Sequence, residues 1–202
     1  MKKSMAGQGV AGALLLAGLM VSAGAMAASG DPVTGGSGTV TINVPIVTST
    51  CSVSVPTEVN FDPLDPNSII VDGGTRILTQ KNMDITLSHC NGKTLLMNTR
   101  GHTVYPSDHI DGYFSSGDPD NALMYRIYVP RSAEITGGKA SSGLASGQYW
   151  LPYMNNTYPL AIKPNSDSYQ IASFIVLLST GKSVSNVGSA VSGGFDYTFT
   201  YQ

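Results

Sequence analysis

Charge is scarce in this 202-residue chain, with only 12% of residues charged. Eleven basic against thirteen acidic residues leave a formal charge of −2. No basic patch is present, which argues against nucleic acid and anionic membrane surfaces as partners. Cysteine is nearly missing: Cys51 and Cys90 are the two copies. Their spacing excludes a CxxC redox site and a cysteine-rich zinc site. Helical periodicity is missing as well, since no stretch repeats apolar residues at a period of roughly 3.6 between caps.

Catalytic motifs are equally thin. No Gly-x-Ser-x-Gly elbow occurs. His89, His102 and His109 lie near Asp108, Asp111, Asp118 and Asp120, but the spacing matches neither a zinc motif nor an EF-hand loop. These residues read as a solvated acidic loop. Asp62 and Asp65 fall in a Pro-rich turn, where Asp caps the backbone. The run Gly7-Gln8-Gly9-Val10-Ala11-Gly12 spells a dinucleotide-binding fingerprint, yet no strand precedes it. The expectation is a protein that is not an enzyme, with no cofactor and no metal site.

What is present begins with the N-terminal segment. Lys2 and Lys3 precede an apolar run from Val10 to Val21, and Ala25-Met26-Ala27 fits the small-x-small cleavage rule. Residues 1–27 therefore read as a secretory signal, and removing 27 of 202 residues leaves 175, enough for one domain. In an exported protein an even pair of cysteines reads as one disulfide, Cys51 to Cys90. Two unrelated buried thiols are the alternative.

Residues 28–38 form a Gly/Ser-rich leader, and Thr39–Val44 then alternates polar with β-branched residues, a strand pattern. Pro45 follows, and Ile46–Val55 is a second extended stretch carrying Cys51. No hairpin signal separates the two, so the first stretch does not fold back on the second and continues outward as one long strand or as a projecting arm. Further strands are expected at Met83–Cys90, Thr94–Asn98, Leu123–Val129 and Ile171–Leu178, with Met83, Ile85 and Leu87 facing inward. Turn clusters such as Asn91-Gly92 and Gly137-Gly138 lie between them. Many short strands with regular turns indicate a β-sandwich. Residues 130–158 read as a long loop with a strand fragment. Within it, Trp150, Tyr149 and Tyr153 read as core or loop packing in preference to a sugar site, and the sequon Asn155-Asn156-Thr157 reads as chance.

The final segment, Gly194–Gln202, places an aromatic at every second position: Phe195, Tyr197, Phe199 and Tyr201. Strict alternation gives one apolar face, and four buried aromatics would contribute roughly 1.5–3 kcal/mol each. A strand at the end of the chain needs a neighbour from elsewhere.

The arm Gly38–Val44, Cys51 seven residues on, Cys90 closing Ile85–Cys90, and the penultimate Tyr201 together resemble the pilin subunits of chaperone–usher fimbriae, particularly the type 1 family. The order and spacing of these pieces carry the resemblance. Two features depart from it: Ser189 stands where the family commonly has Gly, with Gly188 one position off, and the segment 100–158 is long.

The resemblance implies an all-β, incomplete immunoglobulin-like sandwich completed by a donor strand from a neighbouring subunit. Residues 28–45 become the donor arm and 46–202 the pilin domain. Gly38, Val40, Ile42 and Val44 are the implied donor residues, and Phe195, Tyr197, Phe199, Tyr201 and Gln202 the groove-edge strand. The implied partners are neighbouring pilin subunits in a head-to-tail polymer, a periplasmic chaperone and an outer-membrane usher. The implied destination is the cell-surface fimbrium, reached through the periplasm, with a role in adhesion. A minor adaptor or tip-proximal subunit is the alternative, and a secreted carbohydrate-binding β-sandwich protein the next. A tip adhesin is disfavoured, because resembling adhesins carry an extra lectin domain and lack the arm.

Overall fold

The computed structural model describes residues 50–69, 74–143 and 146–202, all within one unit, Val47–Gln202. Its strands in chain order are β1 (Ser52–Ser54), β2 (Arg76–Asn82), β3 (Ile85–Ser88), β4 (Leu95–Gly101), β5 (Asp111–Tyr113), β6 (Leu123–Pro130) and β7 (Ile135–Gly137). They continue as β8 (Lys139–Ala140), β9 (Tyr149–Leu151), β10 (Leu160–Ile162), β11 (Ser168–Ile171), β12 (Phe174–Ser179) and β13 (Phe195–Tyr201). One helical turn, α1 (Pro66–Ile69), is capped by Asp65, whose carboxylate accepts from the Asn67 backbone N–H at 2.9 Å. The fold is all-β, and every strand pair is antiparallel.

Among the described residues three sheets form, ordered β1-β3-β11, β13-β4-β10-β7 and β2-β12-β6-β9-β8, with β5 also against β6. The inward face predicted for Met83, Ile85 and Leu87 is present: all three are essentially inaccessible. They join Leu95 and Met97 of β4, Leu160 and Ile162 of β10, and Tyr125, Ile127 and Val129 of β6 in the main core. Period-two spacing places each set on one side of its strand.

Strands β6 and β12 are buried on both faces. Ile127 and Ile175 face the main core, whereas Tyr128, Val176 and Leu178 face a second cluster with Ile110, Tyr113 and Leu151. The long segment 100–158 thus supplies the cover for the outer side of this sheet. That explains the apolar runs in β6 and β12, since a strand covered on both faces loses its alternation. The strand fragment expected within the long loop 130–158 is β9, and the same segment also contains β7 and β8, which corrects the expectation of loop for the rest.

The run Ile171–Leu178 is not one strand. It breaks at Ala172-Ser173, with β11 pairing β3 and β12 pairing both β2 and β6. The opposite chain breaks at the same place: the Met83 N–H donates to Ser173 O at 2.8 Å, and the Ser173 hydroxyl returns a bond to Met83 O. Both chains therefore cross between sheets at one corner, the usual place for a bend in a sandwich.

The acidic residues expected in a solvated loop also require correction. Asp111 and Asp118 are 2% and 4% exposed. Asp118 caps the start of β6, accepting from the N–H groups of Ala122 and Leu123 at 2.9 and 2.8 Å. Asp111 lies directly opposite Arg126 across the β5–β6 pair and holds its guanidinium through two bonds of 2.6 Å. Burial pushes the Asp111 carboxyl above its usual range, while Arg126 opposes the shift. These carboxylates are structural because each spends its oxygens on donors that would otherwise be buried unpaired.

Candidate functional site

β13 forms antiparallel bonds with β4 along its whole length, from Phe195 opposite Gly101 to Tyr201 opposite Leu95. Among the described residues it has no other hydrogen-bonded neighbour. β1 is likewise paired on one edge alone, with Ser52, Val53 and Ser54 opposite Ser88, Leu87 and Thr86 of β3. These strands come from opposite ends of the described chain, yet Val53, Val55, Phe195 and Phe199 all pack against the same main core.

The alternation of β13 is observed, with a correction to its depth. Phe195, Tyr197 and Phe199 are half-buried, not fully buried, and Tyr201 is 58% exposed. The physical reason is position: β13 is the outermost strand of its sheet among the described residues. Asp196, Thr198 and Thr200 face outward. Tyr197 and Phe199 meet edge-to-face with centroids 6.0 Å apart, and Phe195 lies 6.2 Å from the Tyr125 ring.

Both ends of β13 are anchored. At its start, Gly194 O accepts from the Tyr125 hydroxyl at 2.6 Å and from the His102 N–H at 2.9 Å. Burial raises the Tyr125 phenol above its ordinary pKa, so it stays a protonated donor. At its end, the Gln202 N–H donates to Thr94 O at 3.0 Å. The Tyr201 phenol oxygen accepts from the Cys51 N–H at 3.2 Å, and the Lys93 ammonium stands 5.7 Å from the Tyr201 ring. Cys51 is disulfide-bonded to Cys90, Cα to Cα 4.6 Å, and this places β1 beside β3. Tyr201 thus ties the last strand to the first beside the disulfide.

Of the residues singled out in the sequence, the structure brings Cys51, Cys90, Tyr201 and Gln202 to one end of this arrangement. Phe195 sits at the other. Gly38, Val40, Ile42 and Val44 lie outside the described residues. Tyr125 was not foreseen as a support for β13, because 69 positions separate it from Gly194 and nothing local marks the pair. Trp150 is a packing residue: its Nε1–H donates to Ile135 O at 2.8 Å, and Arg131 stacks 4.1 Å over its ring. No group of three His, Cys, Asp or Glu able to hold a metal occurs among the described residues.

The geometry is that of two strand edges flanking a shared apolar core. Unpaired edge N–H and C=O groups beside apolar pockets accept an added strand, with main-chain bonds giving affinity and alternate side chains filling the pockets.

No family model and no curated protein matches the sequence. Solved structures do. A chain from a chaperone–usher pilus, in a structure concerned with rod uncoiling, matches with a TM-score of 0.50 and 16% identity over 83% of this chain and 96% of that one. The chain has a chaperone–usher pilin-like fold. The P pilus rod subunit PapA matches at a TM-score of 0.49 and 15% identity, over 75% of this chain and 99% of that one. The CupB6 tip adhesin from Pseudomonas aeruginosa matches at 0.39 and 15% identity, over 75% of this chain and 43% of that one. In this pilin-like sandwich, the long segment 100–158 is the part that builds the second apolar layer over β6 and β12.

Proposed function

We propose that the chain is a structural subunit of a chaperone–usher fimbria that polymerises by donor-strand exchange and supports adhesion. The observation that carries this reading is that β1 and β13 are each paired on one edge alone among the described residues, while Val53 of β1, the adjoining Val55, and Phe195 and Phe199 of β13 pack on one core. A strand entering between them finds hydrogen-bonding edges and apolar side chains together.

The donor is the arm of the preceding subunit, with Val40, Ile42 and Val44 on one face and Gly38 allowing close backbone approach. Burial of those three side chains contributes roughly 5–8 kcal/mol before ordering costs. A contact of this head-to-tail kind does not close on itself, so it propagates as a filament. Before assembly, a periplasmic chaperone lends a strand at the β13 edge, and an outer-membrane usher catalyses the exchange. Residues 1–27 direct export through the periplasm, and the cell-surface fimbrium is the destination.

Deletion of residues 28–44 tests this directly. The truncated subunit is expected to accumulate in the periplasm as a soluble complex with its chaperone and to form no fibres. Fibres built from the truncated subunit would refute the reading.

A further inference from the structure

Hydrogen bonds in an antiparallel ladder alternate: every second residue of a strand bonds one neighbour, and the residues between direct their N–H and C=O to the other edge. Two bonds fix this phase for β13. The His102 N–H donates to Gly194 O at 2.9 Å, and the Gln202 N–H donates to Thr94 O at 3.0 Å. Both pairs continue the register that sets Phe195 opposite Gly101 and Tyr201 opposite Leu95. Asp196, Thr198 and Thr200 therefore bond β4. Phe195, Tyr197, Phe199 and Tyr201 direct their main-chain groups to the edge that has no partner among the described residues. Side chains alternate with the same period, and Phe195 and Phe199 pack on the main core. One set of residues thus carries both the free hydrogen-bonding groups and the inward face of β13.

The phase of β1 follows in the same way. The His89 N–H donates to Asp167 O at 2.6 Å, in register with the β3–β11 pair. Leu87 and Ile85 therefore bond β11, and Ser88 and Thr86 bond Ser52 and Ser54 of β1. Cys51 and Val53 then direct their N–H groups away from β3. The Cys51 N–H is the one that meets the Tyr201 phenol oxygen, at 3.2 Å. At this end the Tyr201 side chain spans the gap between β13 and β1. The Lys93 ammonium, 5.7 Å from the ring, and the Gln202 bond to β4 hold it there.

A strand added antiparallel to β13 sets residues directly opposite one another, with their side chains on the same face. Opposite Phe195, Tyr197 and Phe199, an inward side chain enters the apolar face. Opposite Tyr201 it meets the phenol that crosses to Cys51. The edge therefore takes three inward side chains in a row and leaves no room for a fourth. The arm has the matching pattern: Val40, Ile42 and Val44 at period two, with Gly38 two residues earlier. An arm laid in the reverse direction on the same three positions would bring Ile46 against Tyr201. We propose that Tyr201 sets the register of the donated arm by tolerating only glycine opposite itself. Gly38 then pairs with Tyr201, and Val40, Ile42 and Val44 pair with Phe199, Tyr197 and Phe195. This inference rests on the donor-strand reading and adds to it the residue that selects among arms. A segment with a side chain at the Gly38 position is rejected even when its three apolar residues fit, so the discrimination comes from a built-in clash.

The test follows the release of fluorescent peptides spanning Ser37–Pro45 from the intact purified chain. The unaltered peptide is expected to bind and to leave slowly. The Gly38→Ile peptide is expected to leave about tenfold faster, the effect of overfilling a packed position. The Thr39→Ile peptide, altered on the outward face, is expected to leave at the unaltered rate. On the Tyr201→Ala chain the Gly38→Ile penalty is expected to vanish. On Tyr201→Phe, which keeps the ring but frees it from Cys51, the penalty is expected to shrink. Tyr201 is exposed, and a cooperative melt of each variant verifies the fold. If the unaltered peptide does not bind the wild-type chain, the donor-strand reading fails and this inference with it. The donor-strand reading stands and the role of Tyr201 is overturned in two cases. In one, the unaltered peptide binds and the Gly38→Ile peptide is released no faster; in the other, its penalty is the same on both Tyr201 variants as on the wild type.

Discussion

Cys51 and Tyr201, 150 positions apart, meet through a hydrogen bond in which the Cys51 N–H donates to the Tyr201 phenol oxygen at 3.2 Å. The disulfide to Cys90 holds the same residue from the other side. One residue therefore joins β1, β3 and β13, the strands that border the candidate acceptor edges.

The disulfide closes a loop between residues 39 positions apart. In the chain-entropy treatment, a loop of this length stabilises the fold by about 3–4 kcal/mol. The Cys51→Ser/Cys90→Ser double variant is expected to lose that amount in urea denaturation. Tyr201→Phe removes only an acceptor at an exposed position, and is expected to cost about 0.5 kcal/mol, the low end for a hydrogen bond.

Tyr125 supports β13 from below. Its hydroxyl donates to Gly194 O, and burial raises its pKa above the ordinary tyrosine value of about 10. A group whose folded pKa is raised gives stability that is complete below its unfolded pKa and is lost as pH rises above it. The wild-type chain is therefore expected to lose stability relative to Tyr125→Phe as pH climbs past about 10. At neutral pH the variant is expected to be less stable by about 1 kcal/mol, measured by chemical denaturation. A pH-independent difference would contradict the assigned role of the phenol.

Asp111 and Arg126 form an ion pair whose side chains are 3% and 14% exposed. Removing one partner leaves the other charge buried without compensation, a loss of about 3–5 kcal/mol. Asp111→Ala is expected to fall in that range. Replacing both partners with apolar residues of similar size, as in Asp111→Leu/Arg126→Met, is expected to cost much less. Denaturation midpoints of the single and double variants decide between them.

The parts of this fold legible in the sequence are those with one wet and one dry face. β13 shows its alternation in Phe195, Tyr197 and Phe199, and β3 does so in Ile85 and Leu87. The inner bend at Ala172-Ser173 was not legible, because both β11 and β12 carry apolar residues up to it and no Gly or Pro marks the corner. β2 was missed for the opposite reason: it lies at a sheet edge, and its Thr79–Asn82 half is polar. Strands as short as β7, β8 and β10 take their conformation from their partners, leaving little local signal. Asp111 and Asp118 looked solvated because their donors, Arg126 and the start of β6, become neighbours only when the sheet forms. At the candidate site, the Cys51–Cys90 bond and the aromatic edge were readable from residue type. The contacts made by Tyr125 and Tyr201 were not, since they depend on tertiary neighbours.

The most direct measurement of the central claim, strand donation between subunits, is fibre formation by Ile42→Asp. An aspartate at the middle donor position would bury an unpaired carboxylate in an apolar groove, a cost of several kcal/mol. Electron microscopy of cells producing this variant is expected to show no fimbriae, while a pull-down recovers the subunit with its chaperone in normal amount. Normal fimbriae assembled from the Ile42→Asp subunit would contradict the account.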